Sequence, residues 1–440
     1  MISGKVLVLA IEALSWIELR KINEQAAMRR TVNQLGIVDE DVMEKGYNLV
    51  FEVTRRLNAL DYLIGDALKP KQIDECIIGV RSFLRLYTYA IKYGNIDFEE
   101  AMKMADIGRE VLGEEINSVE YALHIIPNIE LDFQIEDRFE QLALTTFHPT
   151  WFVRYCMRTF GEKETQKILR SGDPPTYVRV NTLKTTPEDL LEALKRENVS
   201  IEKELKGIYR LVESEQHLPE LEPYKEGLFI TQDKASAYAV EAASPKPGWT
   251  VLDVCAAPGI KTSHMAQLMK NSGEIYSMDY SKRRMASWSR LTRRMGVENA
   301  KPILGDAKRR KDFPEVMADL VLVDPPCTGT GTFWRVPSAK WRINETSIST
   351  MADIQWKILS NSASHVKKGG HLLYSTCSIT TEENEELINK LLDVNPSFKP
   401  IKLEPDLGTP GLKGQKEARR LYPHTDNCNG FFISKLRREL

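Results

Sequence analysis

Thr250-Val251-Leu252-Asp253-Val254-Cys255-Ala256-Ala257-Pro258-Gly259-Ile260-Lys261-Thr262 opens as an apolar strand, breaks into small residues and resumes as a helical pattern. Small residues after a first strand let the backbone pass close to a bound nucleoside, with a helix N-terminus beside it. The alternation continues down the chain. Strand-like runs stand at 274–278, 301–304, 320–323, 371–374 and 431–434, and helical patterns fill the gaps at 261–270, 281–295, 351–366 and 382–392. Strand and helix in turn predict a doubly wound parallel sheet from about residue 232 onward.

The ends of these strands carry acids. Asp279 closes the second, twenty residues beyond Gly259, and Gly305-Asp306-Ala307 closes the third. A carboxylate at the second position suits the two ribose hydroxyls of a nucleoside, and one at the third can accept from an exocyclic amine. The loop after the first strand is neither a Walker A loop nor a full G-x-G-x-x-G, so nothing grips a pyrophosphate. Two acidic clamps without a phosphate grip point to S-adenosylmethionine rather than NAD. Cys255, inside the loop, reads as a small packing residue beside that cofactor.

Two later strands end in thiols: Asp324-Pro325-Pro326-Cys327 and Ser375-Thr376-Cys377-Ser378. Open α/β sheets place chemistry at this carboxyl edge. Two thiols there suggest covalent catalysis by sulfur. C5 of a pyrimidine becomes nucleophilic once a thiolate has added to C6, and a second thiol serves as base when the C5 proton must leave. Asp324 is placed to bind the N3/N4 edge of the ring. A free thiol has a pKa of about 8.5, so the attacking sulfur needs activation by its surroundings. Chemistry alone leaves open which of the two attacks.

Composition narrows the setting. The chain of 440 residues has a formal net charge of -2, so a nucleic-acid partner must be held by local patches. The six cysteines show no Cys-x-x-Cys spacing, which argues against a zinc site or disulfide framework and predicts no metal. Free thiols fit a reducing, cytoplasmic compartment. The apolar start, Met1 to Trp16, has no basic n-region or small-residue cleavage site and predicts a buried first helix. No segment reaches the roughly 18 to 20 apolar residues of a membrane span.

Upstream, 1–142 reads as an all-α bundle, with Val42, Leu49, Val50 and Val53, then Val80, Phe83, Leu84 and Tyr87, at helical spacing. Its arginines Arg29, Arg30, Arg55 and Arg56 read by default as a solvated face, with an RNA-contact role as the alternative. Residues 143–231 read as a small α+β module: short helices through Phe160 and over 162–170, a strand at 176–181 and a helix begun by Pro187. The remainder, 232–440, holds the parallel sheet.

Taken together, the motifs at 253–262, 324–327 and 375–378, with Asp279, Arg284 and Asp306, resemble the RNA cytosine-C5 methyltransferases of the Sun/Fmu (RsmB/NOP/NSUN) family. The resemblance extends to Tyr177–Lys184, Gln232–Ser236, Leu421–His424 and Gly430–Phe432. It implies a Rossmann-like class I methyltransferase domain using S-adenosyl-L-methionine, with Cys377 as nucleophile and Cys327 assisting release. Cofactor contacts carry over to Cys255, Ala256, Ala257, Pro258, Gly259, Ile260, Lys261, Asp279, Arg284, Asp306 and Asp324, and substrate contacts to Arg179 and Asn181. Ile260 departs from a usual second glycine, and Asn429 from a common aspartate. By pattern and position the helical part is similar to the NusB-like RNA-binding domain of some members. The resemblance implies an rRNA or tRNA partner, no membrane and no obligatory protein partner.

Basic residues cluster at Lys282, Arg283, Arg284, Arg290, Arg293 and Arg294 and again over 308–311, readable as a solvated face or as a phosphate-binding rim. Phe333, Trp334 and Trp341 read equally as packing residues or as platforms for a flipped base. Two rivals remain: an adenine amino-methyltransferase, against which Cys327 after the prolines argues, and a non-catalytic RNA-binding assembly factor, against which the retention of both thiols argues.

Overall fold

The computed structural model describes residues 2–133 and 135–439; Met1, at the head of the apolar run, lies outside them. The chain divides into two compact units. One runs through Arg170 and takes in a later segment, Phe333–Glu345; the other comprises Ser171–Thr332 and the chain from Thr346 on. The junction between the two units falls at Arg170–Ser171.

The first unit is helical, with main helices at Gly4–Arg20, Glu24–Leu35, Glu40–Arg55, Leu57–Leu68, Ile78–Lys92 and Phe98–Leu112. Four of these start at Ser3, Asn23, Asp39 and Asp97, whose side chains accept from backbone N–H groups of the first turn. The first helix is buried along Leu7, Leu9, Ala10, Ile11, Ala13 and Leu14, as its apolar composition predicts. A longer helix, Thr150–Leu169, is broken at Gly161, whose φ of 76° lies in the left-handed region, so the two expected helices follow each other across a kink.

The segment Phe333–Glu345 is built into this unit. Phe333 packs its ring 4.9 Å from that of Phe152. The Trp341 indole N–H donates to Thr54 O at 2.6 Å, and the Ser338 N–H donates to the buried Glu24 carboxylate at 2.6 Å. Phe333 and Trp334 are 1% and 6% exposed, so packing, and not base stacking, is what these two rings do.

The second unit holds two sheets. The smaller pairs β1 (Tyr177–Val180), β2 (Val199–Leu205), β3 (Ile208–Ser214) and β4 (Phe229–Thr231) in the antiparallel order β2-β3-β1-β4. Leu190 and Leu194, one face of the helix Pro187–Arg196, share a core with Val178, Val180 and Phe229.

The larger sheet contains β5 (Thr250–Val254), β6 (Glu274–Asp279), β7 (Ala300–Leu304), β8 (Ala318–Val323), β9 (Val366–Thr376), β10 (Phe398–Pro400), β11 (Thr409–Pro410), β12 (Arg419–Leu421) and β13 (Phe431–Arg438). Its order is β11-β12-β13-β9-β8-β5-β6-β7, with β10 on β13. The strands β7-β6-β5-β8-β9 are parallel, and β13 returns antiparallel to β9. Near-continuous apolar strands such as Leu320–Val323 are buried on both faces, as parallel strands must be. Strand order reverses beside β5. The crevice at the carboxyl ends of β5 and β8 is therefore where a ligand is expected.

Candidate active site

The loop leaving β5 is shaped by its neighbours. Cys255 turns the chain with a φ of 73°, a left-handed conformation uncommon outside glycine. The Ala256 N–H donates to Met278 O at 2.8 Å, and the Ala257 N–H reaches Asp279 Oδ2 at 3.3 Å. Gly259, at φ 106°, caps the helix Ile260–Leu268. A side chain there would meet Trp288 at 3.0 Å, so glycine is required for both conformation and space.

Beside this loop is a cavity of about 300 Å³ lined by Cys255, Asp279, Arg284, Asp306, Pro326 and Ile354, among others. Asp279 is 2% exposed; its Oδ1 accepts the Ser281 N–H at 3.0 Å, and Arg284 lies 3.3 Å from its Oδ2. Arg284 also donates to Ala257 O at 2.5 Å, pinning the loop from above. Asp306, in the cavity lining, accepts the Lys308 N–H on Oδ1 at 3.0 Å, and its Oδ2 lies 3.5 Å from Lys308 Nζ. An apolar wall with two acids at its ends fits a nucleoside. Burial pushes the Cys255 thiol well up, so this sulfur is inert, in keeping with a packing role.

Parallel pairing of β8 with β9 sets Val323 beside Tyr374, so the segments after them emerge together. The Cys327 and Cys377 sulfurs lie 3.1 Å apart. Asp324 is joined by Lys261 Nζ at 2.5 Å and by Ser375 Oγ at 3.1 Å. Burial pulls the Lys261 ammonium down, but Asp324, with Cys377 and Asp253, carries it above its ordinary value. A cation is thereby fixed on Asp324. Lys261 therefore bonds the acid at the edge where both thiol loops emerge. The hydrogen bond to Cys377, then burial and the charges of Cys377 and Glu383, hold Cys327 well above the ordinary thiol range. Burial likewise raises Asp253 to about 7, against the opposing bond from Thr262.

Residues 240–437 match the family model for the 16S rRNA methyltransferase RsmB/F, and 148–207 match the ferredoxin-like domain of RsmF/B-like methyltransferases. The chain is 30% identical to the probable ribosomal RNA small subunit methyltransferase B of Coxiella burnetii, over 66% of this chain and 67% of the relative. It is 29% identical to the Bacillus subtilis protein of the same description, over 98% of both.

The chain belongs to the RsmB/F methyltransferase family. Solved structures agree. The crystal structure of PH0851 superposes with a TM-score of 0.87 at 28% identity, covering 100% of this chain and 99% of that one. That of NSun6 from Pyrococcus horikoshii with SFG gives 0.60 at 26% identity, covering 66% of this chain and 98% of that one.

Within this RsmB/F fold two expected substrate residues have other work. Arg179 is fully buried; its guanidinium donates to the Gln232 side chain, to Ile260 O at 3.2 Å and to Ser263 Oγ at 2.8 Å. Asn181, 1% exposed, donates to Gly227 O and Met295 O, each at 2.8 Å. Both brace the small sheet against the methyltransferase sheet, and both are buried. A basic residue in a strand reads as exposed until its buried acceptors, 53 to 84 residues away, are known. Glu383 and Asn384 went unnoticed because an acidic run after Cys-Ser-Ile-Thr reads as the solvated start of a helix; both are fully buried against the thiol loops. No described helix is long and apolar enough to cross a membrane.

Proposed function

We propose that the protein transfers the methyl group of S-adenosylmethionine to C5 of cytosine in ribosomal or transfer RNA through a covalent thiol adduct. The observation that carries this reading is the thiol pair, 3.1 Å apart, beside the Lys261–Asp324 pair and next to the acid-lined cavity. Relatives described as cytosine-C5 methyltransferases support the base and atom: the 28S rRNA enzyme of Homo sapiens and the tRNA enzyme of Pyrococcus horikoshii. The relative solved with SFG, an S-adenosylmethionine analogue, supports the cofactor.

The residues divide the work as follows. Asp279 binds the ribose hydroxyls, Asp306 the adenine amine, and the 255–261 loop closes over the methionine end. The bound cofactor supplies an electrophilic methyl group. Cys377 adds through its sulfur to C6 of cytosine and pushes density onto C5. Asp324 holds the N3/N4 edge where charge develops. After transfer, Cys327 takes the C5 proton directly or through water, the C6–sulfur bond breaks, and Cys377 leaves as thiolate.

Exposed Lys282, Arg283, Arg290 and Arg293 form a basic rim on the helix after β6 that would hold RNA phosphates in a salt-dependent way. In this scheme 1–142 acts as a NusB-like RNA-binding domain, 143–231 as the substrate module and 232–440 as the catalytic domain, in the cytoplasm. The test is incubation of the protein with labelled S-adenosylmethionine and total RNA, followed by mapping of 5-methylcytosine. Label at cytosine C5 is the expected result. Label on an adenine amine, or none on any RNA, overturns the reading.

A further inference from the structure

One buried carboxylate joins the two thiol loops. Glu383 is fully buried. Its Oε1 accepts the Thr328 N–H at 2.8 Å and the Gln355 amide at 2.9 Å. Its Oε2 accepts the hydroxyls of Ser378 at 2.6 Å, Thr380 at 2.8 Å and Thr328. Thr328 directly follows Cys327, and Ser378 directly follows Cys377. The same two oxygens therefore fix the backbone on the far side of both sulfurs.

Other bonds complete the clasp. Gln355 also donates to Pro326 O at 2.9 Å, so Cys327 is tied on each side. Asn384 accepts the Thr376 hydroxyl at 2.6 Å and donates to Ser378 O at 2.8 Å, so Cys377 is tied on each side too. A buried carboxylate without a cation persists only where donors saturate it. Here the donors come mainly from two loops separated by about fifty residues of chain, and charge-assisted bonds are the strongest available for holding such loops in register.

We propose that Glu383 is a positioning residue that sets the separation of the Cys327 and Cys377 sulfurs, without itself touching substrate. The proposal rests on the dithiol reading of the site, but its geometry can be measured apart from methylation. Replacing the carboxylate by an amide keeps one acceptor and turns the other into a donor facing three hydroxyls. The anionic acceptor shared by the two loops is then gone. A misplacement on the order of 1 Å is felt steeply by any reaction that needs both sulfurs.

The test uses the full chain without RNA or cofactor. Dibromobimane becomes fluorescent when it bridges two neighbouring thiols, and Cys377→Ser gives the unbridged baseline. Bridging in Glu383→Gln is expected to fall roughly tenfold below wild type, while alkylation by a monofunctional bimane still labels both sulfurs. Thr328→Val, which removes a single donor and keeps the carboxylate, should show a smaller loss in the same direction. If Glu383→Gln gives no cooperative thermal transition, Thr328→Val decides alone. Wild-type bridging in the folded variants, even with a lowered melting temperature, overturns the proposal and leaves Glu383 a stability residue. An enzyme that bridges normally yet methylates no cytosine would instead count against the function and leave Glu383's role standing.

Discussion

Cys327 Sγ and Cys377 Sγ, fifty residues apart in the chain, lie 3.1 Å from each other at the ends of adjacent parallel strands. In the proposed scheme Cys377 attacks C6 and Cys327 takes the C5 proton on release. Cys327→Ala is therefore expected to trap a protein–RNA adduct that migrates slowly on a denaturing gel, because release lacks its base. Cys377→Ala should form no adduct and lose turnover altogether. The opposite gel pattern would exchange the two roles.

Asp324 is held by Lys261 and Ser375 at the same edge. Asp324→Asn keeps the shape but removes the charge that orients Lys261. Single-turnover methylation should fall by about 10² to 10³, the usual loss for a donor or charge aimed at the reacting ring. A fall of less than tenfold would remove Asp324 from the reacting centre.

Gly331 closes the thiol loops from the other side. Its N–H donates to Cys377 O at 2.9 Å, and its carbonyl accepts the Gly430 N–H at 2.8 Å. An added Cβ would lie 2.0 Å from Gly430 O and 2.8 Å from Cys377 O. Backbone cannot give way there, so Gly331→Ala should cost about 1 to 3 kcal/mol and depress turnover more than that loss explains. Denaturant unfolding and a methylation assay, with the open position Gly172→Ala as control, would measure both; a wild-type profile refutes it.

Arg179 carries its charge into the interior without a carboxylate among its bonded partners, and burial lowers its pKa to about 9. Arg179→Met should alter the melting temperature but leave the salt slope of RNA binding unchanged, since no phosphate contact is lost. A slope reduced by about one unit would return Arg179 to the RNA surface.

His264 is 1% exposed, with Nε2 2.9 Å from Glu241. Burial, then the Arg179 charge, lower its pKa to about 4 against the pull of Glu241, so at neutral pH the contact is a hydrogen bond to a neutral ring. The unfolded chain takes up a proton below about 6.5, and the folded side chain resists until about 4. The stability is therefore present above 6.5 and lost as pH falls through this window, amounting to roughly 3 kcal/mol in full. Urea unfolding at pH 7.5 and pH 5 should show a smaller acid loss for His264→Gln than for wild type. Equal losses would rule the ring out as the source.

What could be read from the chain follows from locality. A strand and the residue ending it are neighbours in sequence, so Asp279, Asp306, Cys327 and Cys377 were identifiable before any fold was known, as was the loop between Val254 and Ile260. The apolar periods of the strands and of Gly4–Arg20 likewise encode burial directly. Sequence could also limit the class of reaction, because two strand-end thiols serve few chemistries.

Tertiary structure alone decided what each polar side chain is paired with. Lys261 turned out to bond Asp324, 63 residues on, and Arg179 to face inward. Phe333–Glu345 packs with a helical unit that ends at Arg170. Glu383, one acid in an unremarkable run, became the common acceptor for both thiol loops. The reason is physical: a buried hydrogen bond or charge is favourable only with its partner in place, and those partners are brought together by the sheet order, on which local pattern is silent. The thiols could be found one at a time. Their 3.1 Å separation belongs to the fold.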